Sequence, residues 1–459
     1  MFYRQMETRK WQELDQAHYL HPFTDHKALR EIGSRVAVRG EGVHVWDTEG
    51  RKIIDGLSGL GCVNIGYGRP ELVAAASAQM SDLSFCQSFF NTTHPAAVLL
   101  AEKLVKLTPE GLNHVFFQCS GSEANETAVR AIRRYWDLQG QPGKKLIIAR
   151  EYAYHGSTHL AASLSGLEPM HHAGGDVPMP VVHRIKTAYP YREKPAAMPD
   201  DEFGRLAASW LEDKILELGP ENVAAFFAEP AQSAGGSIVP PMSYWPAIQD
   251  ICRKYDVLLA LDEVVMGFGR TGKWFGSFHY GITPDLMQIG KGLTSGYLPL
   301  SACLMSDRVA DVLIDKGGEW AHGYTYSGHP SCCAVALANI EVIESEGLIE
   351  NAADTLIPHF EARLAEFTDH PLMGDVRSVG LMAGLELVAD RATGEAFDGA
   401  LRVGQHCSAE GLSRGLAFRA NGDTMALMPP LVMTVGQMDE MFAIVRAALD
   451  ATARHLGMA

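Results

Sequence analysis

Two residues of this chain have the types and the spacing to do covalent chemistry on a flat heterocycle. Asp262 ends the apolar run Val257-Leu258-Leu259-Ala260-Leu261, and the glycine-rich stretch Gly267-Phe268-Gly269-Arg270-Thr271-Gly272 follows shortly after. Lys291 stands between Gly290 and Gly292, directly behind the next apolar run, Leu286-Met287-Gln288-Ile289. A carboxylate at the end of a buried strand can hold a ring nitrogen protonated, because an opposite charge in contact favours the charged form. A lysine in a dry site has a lowered pKa and forms imines readily. Flanking glycines let the backbone approach a ligand closely.

These are the two things that pyridoxal phosphate asks of a protein. Two further motifs fit the same ligand. Ser120-Gly121-Ser122-Glu123 follows the apolar run His114–Cys119. Ser120 and Glu123 have capping-box spacing, so a helix should start there. Its free N–H groups and positive dipole end would suit a phosphate. Tyr152-Ala153-Tyr154-His155-Gly156 follows the run Lys145–Ala149. An aromatic at a strand's carboxyl end can stack on a ring. Singly, each has an ordinary reading: a capping Asp, a loop Lys, a strand-to-helix turn, a core Tyr. Their shared position behind strands makes the case.

The elements that must position these residues are legible as alternation. Candidate strands are His114–Cys119, Lys145–Ala149, Val223–Ala228, Val257–Leu261, Leu286–Ile289 and Leu300–Met305. Amphipathic runs such as Ala124–Leu138, Phe203–Leu218 and Tyr244–Tyr255 separate them. Short apolar strands with helical crossovers predict a mostly parallel sheet covered on both faces, hence an α/β fold. Both ends differ. Residues 1–65 carry the strand pattern Gly42–Asp47 and a turn at Thr48–Arg51. Residues 331–459 carry helical runs at Ser331–Glu346, Ile349–Phe367 and Gly436–Leu456 around strand-like Leu381–Leu387 and Met425–Met433. The glycine- and proline-rich breaks at 171–180 and 187–200 read as loops.

Composition narrows the class. A length of 459 residues with 47% apolar content supports more than one substructure. A net charge of −16 argues against nucleic-acid binding and against anionic membranes. No apolar run is long enough for a spanning helix. The first residues, Met1 to Glu7, lack a signal-peptide core, so a cytoplasmic location is expected. The eight cysteines form no C-x-x-C pair and are expected to be free thiols, and no histidine spacing suggests a metal site.

The motif order is similar to that of fold-type I pyridoxal-phosphate enzymes, and specifically resembles the class III aminotransferases from end to end. Asp55-Gly56, Gly66-Tyr67-Gly68-Arg69-Pro70, Thr93-His94-Pro95 and His322-Gly323-Tyr324-Thr325-Tyr326-Ser327-Gly328-His329-Pro330 extend the match. The resemblance implies a mostly parallel seven-stranded sheet in a large domain, residues 66–330, and a small α+β domain built from 1–65 and 331–459. It implies that Lys291 forms the imine with the cofactor and Asp262 pairs with its ring nitrogen. Val264 would pack on the ring face opposite Tyr154, and Ser120, Gly121 and Ser122 would hold the phosphate, with His155 and Glu229 beside the cofactor. Thr325 would reach the phosphate from the other subunit, so the site would need a homodimer. The substrate pocket would comprise Leu60, Gly61, Cys86, Phe89, Tyr154, Ala231 and Arg419, with Tyr324 from the partner. Arg419 resembles the mobile arginine that clamps an acceptor carboxylate.

Departures from the family pattern refine this expectation. The stretch Gln232-Ser233-Ala234-Gly235-Gly236 lacks the glutamate that 4-aminobutyrate and ornithine enzymes place there, and Val265 stands where they tend to have Gln. Both point to the branch that moves an amino group from an amine or omega-amino acid to pyruvate. Gly61 stands where an aromatic, often tryptophan, is common, and Cys86 where tyrosine is common, which predicts a larger donor pocket. A decarboxylase or aminomutase on the same scaffold, a 2-oxoglutarate-linked aminotransferase and a catalytically dead binding protein remain as alternatives.

Overall fold

The computed structural model describes residues 6–172 and 176–458, so the first five residues and part of the 171–180 loop lie outside the described residues. The core is a seven-stranded sheet. Its spatial order is His114–Gln118, Ser301–Met305, Leu286–Ile289, Leu258–Asp262, Val223–Ala228, Leu146–Arg150, Val182–Ile185. All neighbours pair in parallel except Ser301–Met305, which is antiparallel to both its neighbours. That exception follows from the chain path. Only a short loop links Ile289 to Ser301, and a parallel partner would need a crossover of a dozen residues or more.

The central strands Val223–Ala228 and Leu258–Asp262 are buried at every residue, as a sheet covered on both faces requires. One face packs beneath the helices Asp200–Leu218 and Tyr244–Lys254, with Phe203, Leu211, Trp245 and Ile248 fully buried. The other packs beneath Gly121–Leu138, whose Ala128, Ile132 and Trp136 face the sheet. All six strands expected from the sequence form. The seventh, Val182–Ile185, lies between the two loops and holds His183 and Arg184, so it carries little apolar signal.

Two smaller sheets complete the molecule. The strands Ala37–Glu41, His44–Asp47 and Lys52–Asp55 are joined by Leu416–Ala417, where Ile54 pairs with Leu416 and Asp55 with Ala417 in parallel. The beginning and end of the chain therefore fold together. The second sheet is antiparallel, ordered Met373–Val379, Met382–Leu387, Thr424–Leu427, Arg419–Asn421. The expected strand Met425–Met433 stops at Leu427, before Pro429-Pro430, which cannot donate to a ladder. All eight cysteines are free thiols. No helix among the described residues is long and apolar enough to cross a membrane.

Candidate active site

The carboxyl ends of five same-direction strands converge on one cavity of about 420 Å³. This edge is where open α/β sheets bind ligands. Ser120, Gly121, Ser122, Tyr154, His155, Glu229, Asp262, Val264 and Lys291 all line it, so every cofactor-site residue expected from one chain is brought together.

Asp262 ends its strand and is 4% exposed. Its Oδ2 accepts from Asn125 Nδ2 at 2.9 Å and lies 2.8 Å from His155 Nδ1, while Oδ1 accepts from Val264 N at 3.1 Å. Asn125 also donates to the His155 carbonyl at 2.6 Å, and His155 N donates to Ser165 Oγ at 2.9 Å. The carboxylate is thus held by three donors in a dry setting. Its neighbour Glu263 points the other way and accepts from Gly276 N and Ser277 N at 3.0 and 2.5 Å. Burial pushes the Glu263 carboxyl up to about 7.

Lys291 is half-buried and has φ +40°, a left-handed conformation unusual outside glycine. Burial lowers its ammonium below the ordinary lysine range, and Asp262, Cys62 and Glu229 oppose that shift. The neutral amine, the form that attacks carbonyls, is favoured accordingly. Glu229 accepts from Tyr154 N at 3.1 Å and Ser233 N at 3.2 Å. Burial raises its carboxyl above the usual range, with His155 opposing and Asp262 adding to the rise.

One side of the cavity is a helix terminus. Ser120 caps Gly121–Leu138 by accepting from Glu123 N at 3.2 Å, and Glu123 Oε2 accepts from Ser120 N at 3.1 Å. Ser122 Oγ accepts from Ser157 N at 3.0 Å. A Cβ on Gly121 would meet Val264 Cγ1 at 3.2 Å, so this turn and Val264 already touch.

A second cavity of about 380 Å³ shares Tyr154 and Lys291 with the first, and Leu60 and Arg419 line it with Phe23, Ser233, Ala234 and Met428. Among the described residues, no acidic one lines it. Gln232 is turned away, accepting from Thr187 Oγ1 at 2.9 Å and donating to the Glu151 carbonyl at 2.7 Å. Five expected substrate residues line neither cavity. Ala231 is fully buried in the core. Gly61 is buried behind the wall, where a Cβ would meet Val265 Cγ1 at 3.5 Å and Met428 Sδ at 3.6 Å. Phe89 lines a separate cavity with His322 and Gly323, and Cys86 lies in the largely exposed stretch before it. Tyr324 packs on its own chain's helix, donating to the Glu123 carbonyl at 3.3 Å. Thr325 is exposed and also stands outside the cofactor cavity.

Sequence reasoning missed three contributors. Asn125 lies two residues past the Ser120–Glu123 motif, one turn into the helix, where a polar residue on the buried face was the available signal. Phe23 approaches Tyr154 edge-on, with centroids 6.3 Å apart. The segment Thr294–Leu300 lines the cofactor cavity. Nothing local marked either of the last two.

The donor set fits pyridoxal phosphate. His155 Nε2 and Asn125 Oδ1 are buried without partners among the described residues, so this polar cluster is not self-satisfied. A carboxylate, a neutral-leaning lysine and a helix N-terminus face one cavity, matching the ring nitrogen, aldehyde and phosphate of that group. Fold and donor set together define a pyridoxal-phosphate-dependent transferase.

The aminotransferase class-III family model matches residues 28–449, and the chain belongs to that family. It is 51% identical to putrescine--pyruvate aminotransferase of Pseudomonas aeruginosa over 97% of each chain. It is similar in structure to a tryptophan-to-glycine variant of the thermostable omega transaminase PjTA-R6, engineered for asymmetric synthesis of enantiopure bulky amines. The identity is 39% and the TM-score 0.94, over 97% of this chain and 99% of that one. It is also similar to the omega transaminase of Pseudomonas jessenii in complex with PMP, at 39% identity and TM-score 0.95 over the same shares. The chain is a class III aminotransferase, an enzyme family dependent on pyridoxal phosphate.

Proposed function

We propose that this enzyme moves an amino group from a primary amine or omega-amino acid to pyruvate or another short 2-oxo acid. The observation that carries the reading is the second cavity. Arg419 lines it together with Lys291, and among the described residues no acidic one lines it to occupy the guanidinium. A bidentate clamp on an acceptor carboxylate is the natural use of such an arginine. Leu57, Leu60, Ala426 and Met428 supply apolar wall for a donor's hydrocarbon. Arg419 also lines a neighbouring cavity of about 600 Å³, which gives its side chain room to turn aside when a donor has no carboxylate. The activity of the Pseudomonas aeruginosa relative supports the same substrates.

In this reading, Asp262 holds the cofactor's ring nitrogen protonated, and Gly121, Ser122 and the start of their helix hold the phosphate. Tyr154 and Val264 flank the ring, Glu229 and His155 support it, and Lys291 binds it covalently. Pyridoxal phosphate, when bound, draws electrons from the carbon that carries the donor's amine. The Lys291 amine would take the proton from that carbon and deliver it to the cofactor's aldehyde-derived carbon, one base serving both transfers. Thr325 and Tyr324 would act on the cavity of a second copy in a homodimer. The exposed aromatics Phe85, Phe90 and Tyr326 favour such an interface. We place the enzyme in the cytoplasm, in keeping with its free thiols.

Gly61 supports a donor pocket tolerant of bulk. Met428, part of the cavity wall, stands 3.6 Å from where its Cβ would lie, so any large side chain there would displace the wall. The engineered relative gained a glycine for bulky amines. Initial rates for amines and omega-amino acids against pyruvate, 2-oxoglutarate and glyoxylate test the assignment. Pyruvate should be the best acceptor. Turnover with 2-oxoglutarate but none with pyruvate would overturn it.

A further inference from the structure

The small-domain antiparallel sheet carries two arginines on one line. Arg377 pairs with Gly384, Gly384 with Ala426, and Ala426 with Arg419. These four residues form a single cross-strand row through all four strands. Directly opposed residues of antiparallel strands present their side chains on the same face. Ala426 and Arg419 line the substrate cavity at one end of that row.

The other end is pinned to the large domain. Arg377 Nε donates to the Gly236 and Ser237 carbonyls at 3.0 and 3.1 Å. Its Nη1 donates to Asp375 at 2.8 Å and Glu386 at 2.7 Å, and the guanidinium lies 4.8 Å from the centre of the Tyr189 ring. Glu386 accepts in addition from the Tyr189 hydroxyl and from Arg192 Nε, the latter at 2.9 Å. The Arg377 and Glu386 side chains are only 9% and 8% exposed, so solvent and salt screen this pair far less than a surface pair. Gly384 completes the seat: a Cβ there would lie 2.7 Å from the Gly236 oxygen.

The seat is also a wall of the site. Gly236 N and Ser237 N donate to the Ser233 carbonyl at 3.2 and 3.0 Å. Ser233 N donates in turn to the Glu229 carboxylate. Ser233 and Ala234 line the same cavity as Arg419. One buried cluster thus grips the turn that walls the cavity and the sheet that carries Arg419.

We propose that the Arg377–Glu386 pair is a positioning device for the oxo-acid carboxylate, seating this sheet on the 233–237 turn and thereby fixing where Arg419 stands over the cavity. The inference rests on the reading of Arg419 as the carboxylate clamp. Neither residue of the pair touches substrate, so their effect should appear in acceptor binding and not in the chemistry on a simple amine.

The test uses Glu386→Gln, Arg419→Ala and their combination in the cofactor-loaded enzyme, with Tyr189→Phe as the milder variant. Because small misplacements of a binding group are costly, Glu386→Gln should raise the KM for pyruvate roughly tenfold. The half-reaction rate with a saturating amine lacking a carboxylate should stay unchanged. Tyr189→Phe, which removes one hydrogen bond to Glu386, should raise that KM roughly threefold. In the Arg419→Ala background, Glu386→Gln should add nothing, because both act through the same guanidinium. An equal effect of Glu386→Gln with and without Arg419 would overturn the inference. So would a parental pyruvate KM in folded Glu386→Gln or, if that variant does not fold, in Tyr189→Phe. If Arg419→Ala itself left the pyruvate KM unchanged, the clamp reading would fall, and the inference with it. That failure differs visibly from failure of the pair alone.

Discussion

Asp262→Asn removes one charge and almost no volume, and its consequences can be worked from the contacts. Three donors converge on the carboxylate: Asn125 Nδ2 at 2.9 Å, His155 Nδ1 at 2.8 Å and Val264 N at 3.1 Å. An asparagine keeps one acceptor. If its oxygen faces Val264 N, its NH2 faces Asn125 Nδ2 and His155. His155 can accept by changing tautomer, but Asn125 cannot without giving up its 2.6 Å bond to the His155 carbonyl. At least one buried donor is orphaned, at a cost of about 1–3 kcal/mol in stability. The catalytic loss should be larger. A contacting opposite charge shifts a pKa by about 1–3 units, so without it the protonated ring is roughly 10- to 1000-fold scarcer, and turnover should fall by that range. Asp262 also raises the Lys291 pKa, so the variant's lysine should react with free pyridoxal phosphate down to lower pH than the parent's. Single-turnover absorbance with one amine, on fully loaded protein, reads the rate. The pH profile of cofactor uptake reads the lysine. A loaded variant within about threefold of the parent rate would refute the assignment of Asp262 to the ring nitrogen.

Other perturbations have equally definite outcomes. Arg419→Ala should weaken pyruvate and omega-amino-acid half-reactions by about 2–3 kcal/mol, the worth of a charge-assisted pair, and spare amines without a carboxylate; equal losses in both would contradict the clamp. Gly61→Trp should shift a donor panel toward short amines and cost stability, because Gly61 has φ +73° and its wall is already in contact; unchanged rates on bulky donors would refute the pocket reading. Burial pushes the His322 pKa down to about 4, so its contribution to stability is complete above about 6.5 and is lost as pH falls through 4. Melting temperature should therefore drop over that window, and His322→Gln should flatten the drop; an unaltered slope would rule His322 out as its source.

The cofactor cavity was legible because its residues sit at strand ends, where apolar runs, glycines and a lone acid or lysine leave a local pattern. Asp262, Lys291 and the Ser120–Glu123 capping box are readable in this way from a few neighbours each. The substrate cavity was legible only in part. Leu60 and Arg419 line it, but of the residues that the family resemblance placed there, Ala231 is buried in the core and Gly61 stands behind the wall. Cys86, Phe89 and Thr325 are on surfaces that the proposed dimer would complete, and no single-chain pattern reports that. Phe23 reaches Tyr154 from the far end of the sequence. The strand Arg419–Asn421 has three residues and Val182–Ile185 has four, too few for a period to emerge. Whether Gly384 and Gly236 are ordinary glycines or a seat between a sheet and the 233–237 turn is decided by a 2.7 Å approach that only the fold creates.

The proposed chemistry stands or falls on Lys291 as the residue that carries the cofactor and the proton transfers. The most direct measurement is borohydride reduction of the cofactor-loaded enzyme, followed by proteolysis and mass mapping of the pyridoxyl label. A single label is expected, on the peptide containing Lys291. A label on another lysine, or none on a protein that turns over amines, would contradict it.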